Sequence, residues 1–254
     1  HTGGMRYAEG VEKIPAGGIT YEDAEMIAYL AGTGKVKMHL KLTPQTLPDT
    51  KSYNVIADLK GTEKPDEYVV VSGHLDSWDL GQGAIDDGAG VAMAMQVPFL
   101  LNKLGIKPKR PIRLVAFMNE ENGFVGATRY AALADINKHF AAIESDLGTS
   151  HPIGFIFAGK PEALPFLAPL AKVLSPQGAS QIDVKPQASS DISTLTAKGV
   201  PSFGPWYDTR TYFNYHHTAA DTFDKINPRE LAENGSVMAV LAFGLANLEL
   251  SVPR

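Results

Sequence analysis

The stretch YVVVSGHLDSWDLGQGAIDDGAG, residues 68–90, decides how this chain reads. Residues 68–73 are a short, almost wholly apolar run, the pattern of a strand buried on both faces. The run breaks at His74 and Asp76, crosses a glycine-bounded loop holding Asp86 and Asp87, and enters a segment rich in Ala, Val, Met and Leu. Residues 88–104 therefore read as a helix, with Pro98 predicting a kink or a later start.

Working outward, the same alternation repeats. Strands are expected at 112–118, 140–144, 154–157, 182–185 and 200–204, with helices at 125–134, near 161–174 and at 191–198. A long helix runs from 228 to about 249. Asn227 caps it, Pro228 suits its first position, and Glu230 gives a capping-box-like arrangement. Upstream, residues 20–31 read as a short helix with Thr20 as N-cap, stopped by Gly32 and Gly34. Residues 35–42 and 52–59 alternate apolar with polar side chains, as half-buried strands do; Pro44, Pro48 and Asp49 separate them. The fold class is α/β, a mostly parallel central sheet with helices on both faces. Such sheets bind ligands beyond the carboxyl ends of their strands. His74 and Asp76 follow one strand, Glu120 and Glu121 another, and Asp146 a third, so the fold alone gathers them at one edge.

Composition narrows the function. The chain has 254 residues, 44% of them hydrophobic, enough for a substantial core. A net charge of −5 argues against a nucleic-acid binder or a cationic membrane-surface protein. No apolar run reaches the roughly 18 residues a membrane span needs, and no signal-peptide core is visible. The opening His1-Thr2-Gly3 lacks an initiator Met, which leads us to expect a processed or excised piece of a longer precursor. With no cysteine, any metal must be held by His, Asp and Glu.

Each candidate site residue has a plain structural alternative. His74 and Asp76, two apart at a strand end, can lie on one side, with Asp76 as carboxylate partner of a ligating imidazole; they would also suit a polar strand terminus. Asp86 or Asp87 could bridge two metals or simply cap the next helix. Of Glu120 and Glu121, one can coordinate while the other takes a proton from water, unless the pair is a solvated turn. Asp146 and Glu144 share a face, and His217 stands beside His216; spacing does not choose within either pair. Three carboxylates plus a bridging hydroxide balance two divalent cations, so a two-metal hydrolase is electrostatically consistent.

GHLDSWDLGQGAIDDGAG, MNEENG, ESDLGT and HHTAADT, in this order and spacing, resemble the di-zinc aminopeptidase family of the Streptomyces and Aeromonas type. SWDLGQGAIDDG, KPKRPIRLV and ESDLGT are closer still to its plasma glutamate carboxypeptidase (carboxypeptidase Q) branch. The resemblance covers about residues 50–250. It implies a zinc-exopeptidase fold, a mixed sheet sandwiched between helices, with two Zn2+ per chain. His74, Asp86 and Asp146 would hold one metal, and Asp86, Glu121 and His217 the other. Glu120 would be the general base, Asp76 the carboxylate orienting His74, and the Asp86–Asp87 bond cis. His217 is preferred to His216 because the family's ligand directly precedes the Thr or Ser of its HT/HS element.

The implied reaction is hydrolysis of the terminal bond of a dipeptide or short peptide by a hydroxide bridging the metals. Tyr212, Tyr215 or His216 is a candidate oxyanion donor. Secretion or a periplasmic location is inherited from the resemblance, and a homodimer is one assembly it allows. Asn119 stands where the family usually has a small residue. Residues 1–45 are expected to be the remnant of a preceding accessory domain with a linker strand, and 46–254 the catalytic domain. Two rivals stand beside this reading: a single-zinc glutaminyl-cyclase-like enzyme, and a non-catalytic binding protein on the same fold.

Overall fold

A computed structural model describes residues 2–45, 47–249 and 252–253. Seven strands form one sheet: Val55–Leu59 (β1), Tyr68–His74 (β2), Ile112–Phe117 (β3), His139–Glu144 (β4), Pro152–Ala158 (β5), Gln181–Val184 (β6) and Ser202–Tyr207 (β7). Their order is β1-β3-β2-β4-β7-β5-β6. The β3–β2, β2–β4, β4–β7 and β5–β6 pairs are parallel, while β1–β3 and β5–β7 are antiparallel. The sheet is thus mixed and mostly parallel, as expected.

The helices are Tyr21–Thr33 (α1), Ala89–Leu104 (α2), Val125–Leu133 (α3), Leu164–Leu174 (α4), Ser193–Thr196 (α5) and Pro228–Asn247 (α6). β2 shows why both faces of the sheet are covered. Val69 and Val71 pack with Met93, Val97, Leu167 and Leu241 of α2, α4 and α6. Val70, between them, packs with Val115, Ala127 and Leu195 on the α3 and α5 side. All three valines are fully buried, each stabilising the fold by roughly 1.5–3 kcal/mol. Asn227 caps α6 by accepting from the Arg229 N–H at 3.0 Å. Pro98 lies inside an unbroken α2 rather than at its start.

The chain divides into two compact units, His1–Ser52 and Tyr53–Arg254. In the first, α1 starts as expected, Thr20 Oγ1 accepting from Asp23 N at 3.0 Å. The strand expected at 35–42 does not form. A strand needs a partner for its backbone groups; residues 35–42 join no sheet, and Leu40 and Leu42 stay exposed. The strand expected at 52–59 shortens to β1, which has β3 as its partner.

Because β3, β2, β4 and β7 run parallel, their carboxyl ends meet at one edge. The loops after them carry the acid and histidine motifs.

Candidate metal centre

His74 ends β2 and is 1% exposed. Its Nε2 lies 3.2 Å from Asp86 Oδ1 and 3.2 Å from Asp146 Oδ1. One ligand atom from each of the three falls within 4.8 Å of the others, so the donors face a common point. The other ring nitrogen, Nδ1, meets the backbone carbonyl of Asp76 at 2.8 Å, which selects the nitrogen turned to the carboxylates. Here the geometry departs from expectation. The Asp76 carboxylate stands 3.9 Å from Nδ1 and instead accepts from the backbone N–H groups of Glu120 (3.0 Å) and Glu121 (3.2 Å). Asp76 thereby ties the loop after β2 to the loop after β3.

Asp86 faces a second group as well. Its Oδ2 is buried and makes no hydrogen bond, and it points toward His217 Nε2 at 3.2 Å and His216 Nε2 at 3.4 Å. His217 Nε2 lies 2.9 Å from Glu121 Oε2, and Glu121 Oε1 is another buried oxygen without a hydrogen bond. The two histidine rings stack at 3.6 Å, so His216 shares this flank, a closeness that spacing did not settle.

The Asp86–Asp87 peptide bond is cis, and the two carboxylates part company. Asp87 turns inward, accepting from His74 N at 3.0 Å and Gly90 N at 3.1 Å. The chain is close-packed here: a Cβ on Gly90 would lie 2.1 Å from the Ser145 carbonyl oxygen. Asp221 secures the loop from afar, accepting from Ile85 N (2.6 Å) and Asp86 N (3.2 Å). Glu144 also turns inward and accepts from Ile192 N at 3.0 Å, leaving Asp146 to face His74. Ser190 donates to Asp146 Oδ2 at 2.5 Å and also lies against Glu120.

The electrostatics follow from crowding acids in a buried place. Burial, then the Asp146 charge, pushes the Glu120 carboxyl up to about 7. Burial and Asp86 push Glu121 to about 8. Burial opposes a charge on His74, but the Asp146 and Asp86 carboxylates override it and raise its proton affinity. A cluster that draws protons this strongly will also draw a cation, which would lower the carboxyl values again. Asp86 Oδ2 and Glu121 Oε1, buried and without hydrogen bonds, are the donors such a cation requires. The His and carboxylate set fits zinc.

The seven residues given roles by the resemblance (His74, Asp76, Asp86, Glu120, Glu121, Asp146 and His217) lie in this cluster, while Asp87 and Glu144 turn away from it. Trp78 and Asp221 join the seven from within the quoted motifs, although neither was given a role there, and Ser190 and Asp191 from a segment whose spacing carried no signal.

This mixed sheet, with a histidine–carboxylate cluster at its carboxyl edge, is the fold of the zinc exopeptidases. The chain belongs to peptidase family M28, whose model matches residues 54–242. It is 40% identical over 251 residues to carboxypeptidase Q of Rattus norvegicus, covering 98% of this chain and 53% of that protein. The mouse protein of the same name is 38% identical over 257 residues, covering 100% and 54%. The chain thus spans about half the length of these relatives. A crystal structure of a peptidase M28 precursor from Shewanella amazonensis superposes with a TM-score of 0.94 at 42% identity, covering 100% of this chain and 58% of the other. A zinc aminopeptidase from Bacillus subtilis shares the fold, with a TM-score of 0.64 at 21% identity, covering 78% and 51%.

Proposed function

We propose that this chain carries the catalytic part of a zinc-dependent exopeptidase that cleaves the terminal peptide bond of dipeptides or other short peptides. The observation that carries this reading is Asp86, whose two oxygens face separate groups of donors. His74, Asp86 and Asp146 would hold one zinc; Asp86, Glu121 and His217 would hold the other. Zinc bound there lowers the pKa of a water and polarises the scissile carbonyl.

The chain's own residues do the rest. Glu120 takes the proton of the attacking water and passes it to the leaving amine. Its backbone is anchored to Asp76 through a 3.0 Å hydrogen bond, which holds the base in place. Burial keeps the Tyr212 hydroxyl protonated, making it a candidate donor to the developing oxyanion, a contact of the kind worth about 3 kcal/mol.

The test is a zinc titration of metal-stripped protein that follows hydrolysis of an unblocked dipeptide. Activity saturating at two zinc per chain is the expected result. Saturation at one, with cyclisation of N-terminal Gln peptides, would overturn it in favour of a single-zinc cyclase. Zinc-loaded protein inert toward a panel of short peptides would point to a binding role.

A further inference from the structure

Trp78 lies four residues beyond His74, on the loop that leaves β2, yet its indole reaches the other flank of the cluster. Nε1 donates to Glu121 Oε2 at 2.6 Å, and the ring packs on His217 at 5.6 Å between centroids, tilted by 54°. Both side chains on that flank therefore touch one residue. An indole N–H is a donor only. It can neither bind a cation nor take the Glu121 proton, so it fixes the carboxylate without competing for it. The bond is made to Oε2, and Oε1 stays buried and without a hydrogen bond. His217 has a backbone φ of +56°, on a loop that no strand ladder supports.

We infer that Trp78 is a positioning residue for this flank: it orients Glu121 through the indole N–H and His217 through its ring face, and so sets the affinity for one of the two cations. This rests on the proposed two-cation site. Its consequence is selective: among the described residues Trp78 bonds to Glu121 and packs on His217, with no hydrogen bond or ring contact to His74 or Asp146. Groups that orient ligands in this way typically change metal affinity by about 10–100-fold.

The experiment is calorimetric titration of zinc into metal-stripped wild type, His217→Ala and Trp78→Phe, the last keeping a ring but losing the N–H. Wild type should show two binding steps, and His217→Ala identifies the one that depends on Glu121 and His217. Trp78→Phe is expected to weaken that same step by about 10-fold or more and leave the other within twofold. Equal affinities for wild type and Trp78→Phe, or both steps weakened alike, would overturn the inference while leaving the two-cation site standing. A wild type that binds one zinc, or a His217→Ala variant that still binds two, would overturn the site and this inference together.

A second readout does not depend on a Trp78 variant folding. The chain has two tryptophans, so Trp206→Phe leaves Trp78 as the only indole. Its emission should change with the step that His217→Ala abolishes. Emission that follows the other step, or no step, would overturn the assignment.

Discussion

His74 and Asp146 approach Asp86 from the ends of parallel strands, whereas Glu121 and His217 approach it from loops. The first flank is held by the β2–β4 ladder, with its side chains 1% (His74) and 15% (Asp146) exposed. On the second, Glu121 is 5% and His217 18% exposed, and its geometry is set by side chains that cross between loops. Asp76 grips the backbone of Glu120 and Glu121, Trp78 grips the Glu121 carboxylate, and Asp221 grips the Asp86 turn. One edge of the sheet thus draws its precision from two sources, sheet register on one side and hydrogen bonds between loops on the other.

The largest effect should come from the residue the flanks share. Asp86→Ala is expected to abolish both zinc-binding steps and measurable hydrolysis, as followed by metal content after dialysis. A variant still holding two zinc ions would show that the flanks do not meet at Asp86. Next, Glu120→Gln should keep both metals and slow turnover by about 10²–10⁴-fold; activity close to wild type would remove Glu120 from the role of base.

The comparison itself is sharpened by pairing His74→Ala with His217→Ala in metal-free protein. Losing His74 leaves Asp86 and Asp146 facing each other without their buried partner, at a cost of roughly 3–5 kcal/mol. Losing His217, 18% exposed against 1% for His74, should cost less. Urea denaturation midpoints measure both, and equal costs would erase the distinction between strand-built and loop-built flanks.

A further effect concerns Asp191, behind the cluster, whose two oxygens are buried without hydrogen bonds. Burial raises its carboxyl from 3.8 to about 8. Between those values the folded chain keeps a proton that the unfolded chain releases. The associated stability is therefore fully present below about pH 4 and is lost as pH rises through about 8. Asp191→Asn should flatten this decline in metal-free protein. If the two chains lose the same number of degrees in melting temperature between pH 5 and 8, Asp191 is not the group that titrates.

Much of this was legible in the chain. Local periodicity marked β2, β3 and β4, because a run such as VVV must be buried on both faces wherever it sits. Capping residues marked the starts of α1 and α6 for a similarly local reason. Where a pattern depended on a partner, it misled: residues 35–42 alternate as a strand would, but no neighbouring strand completes the ladder. The expected carboxylate–imidazole pair of Asp76 and His74 is another such case. Spacing places both groups on one side without deciding between the carbonyl and the carboxylate of Asp76, and the Glu120 and Glu121 amides claim the carboxylate.

The sequence by itself determined the apolar strands, their mostly parallel sense through the intervening helices, and hence the edge at which His74, Asp76, Glu120, Glu121 and Asp146 collect, while Asp86 and His217 were picked out by the family resemblance. Those outcomes follow from interactions within short segments and from the handed, layered packing they permit. Only the tertiary structure decided that Glu144 and Asp87 turn inward, that His216 stacks beside His217, and that Trp78 and Asp221 reach across the cluster. Side-chain direction at a loop depends on which donors arrive from distant segments, and Asp221 lies 135 residues from the Asp86 amide it holds.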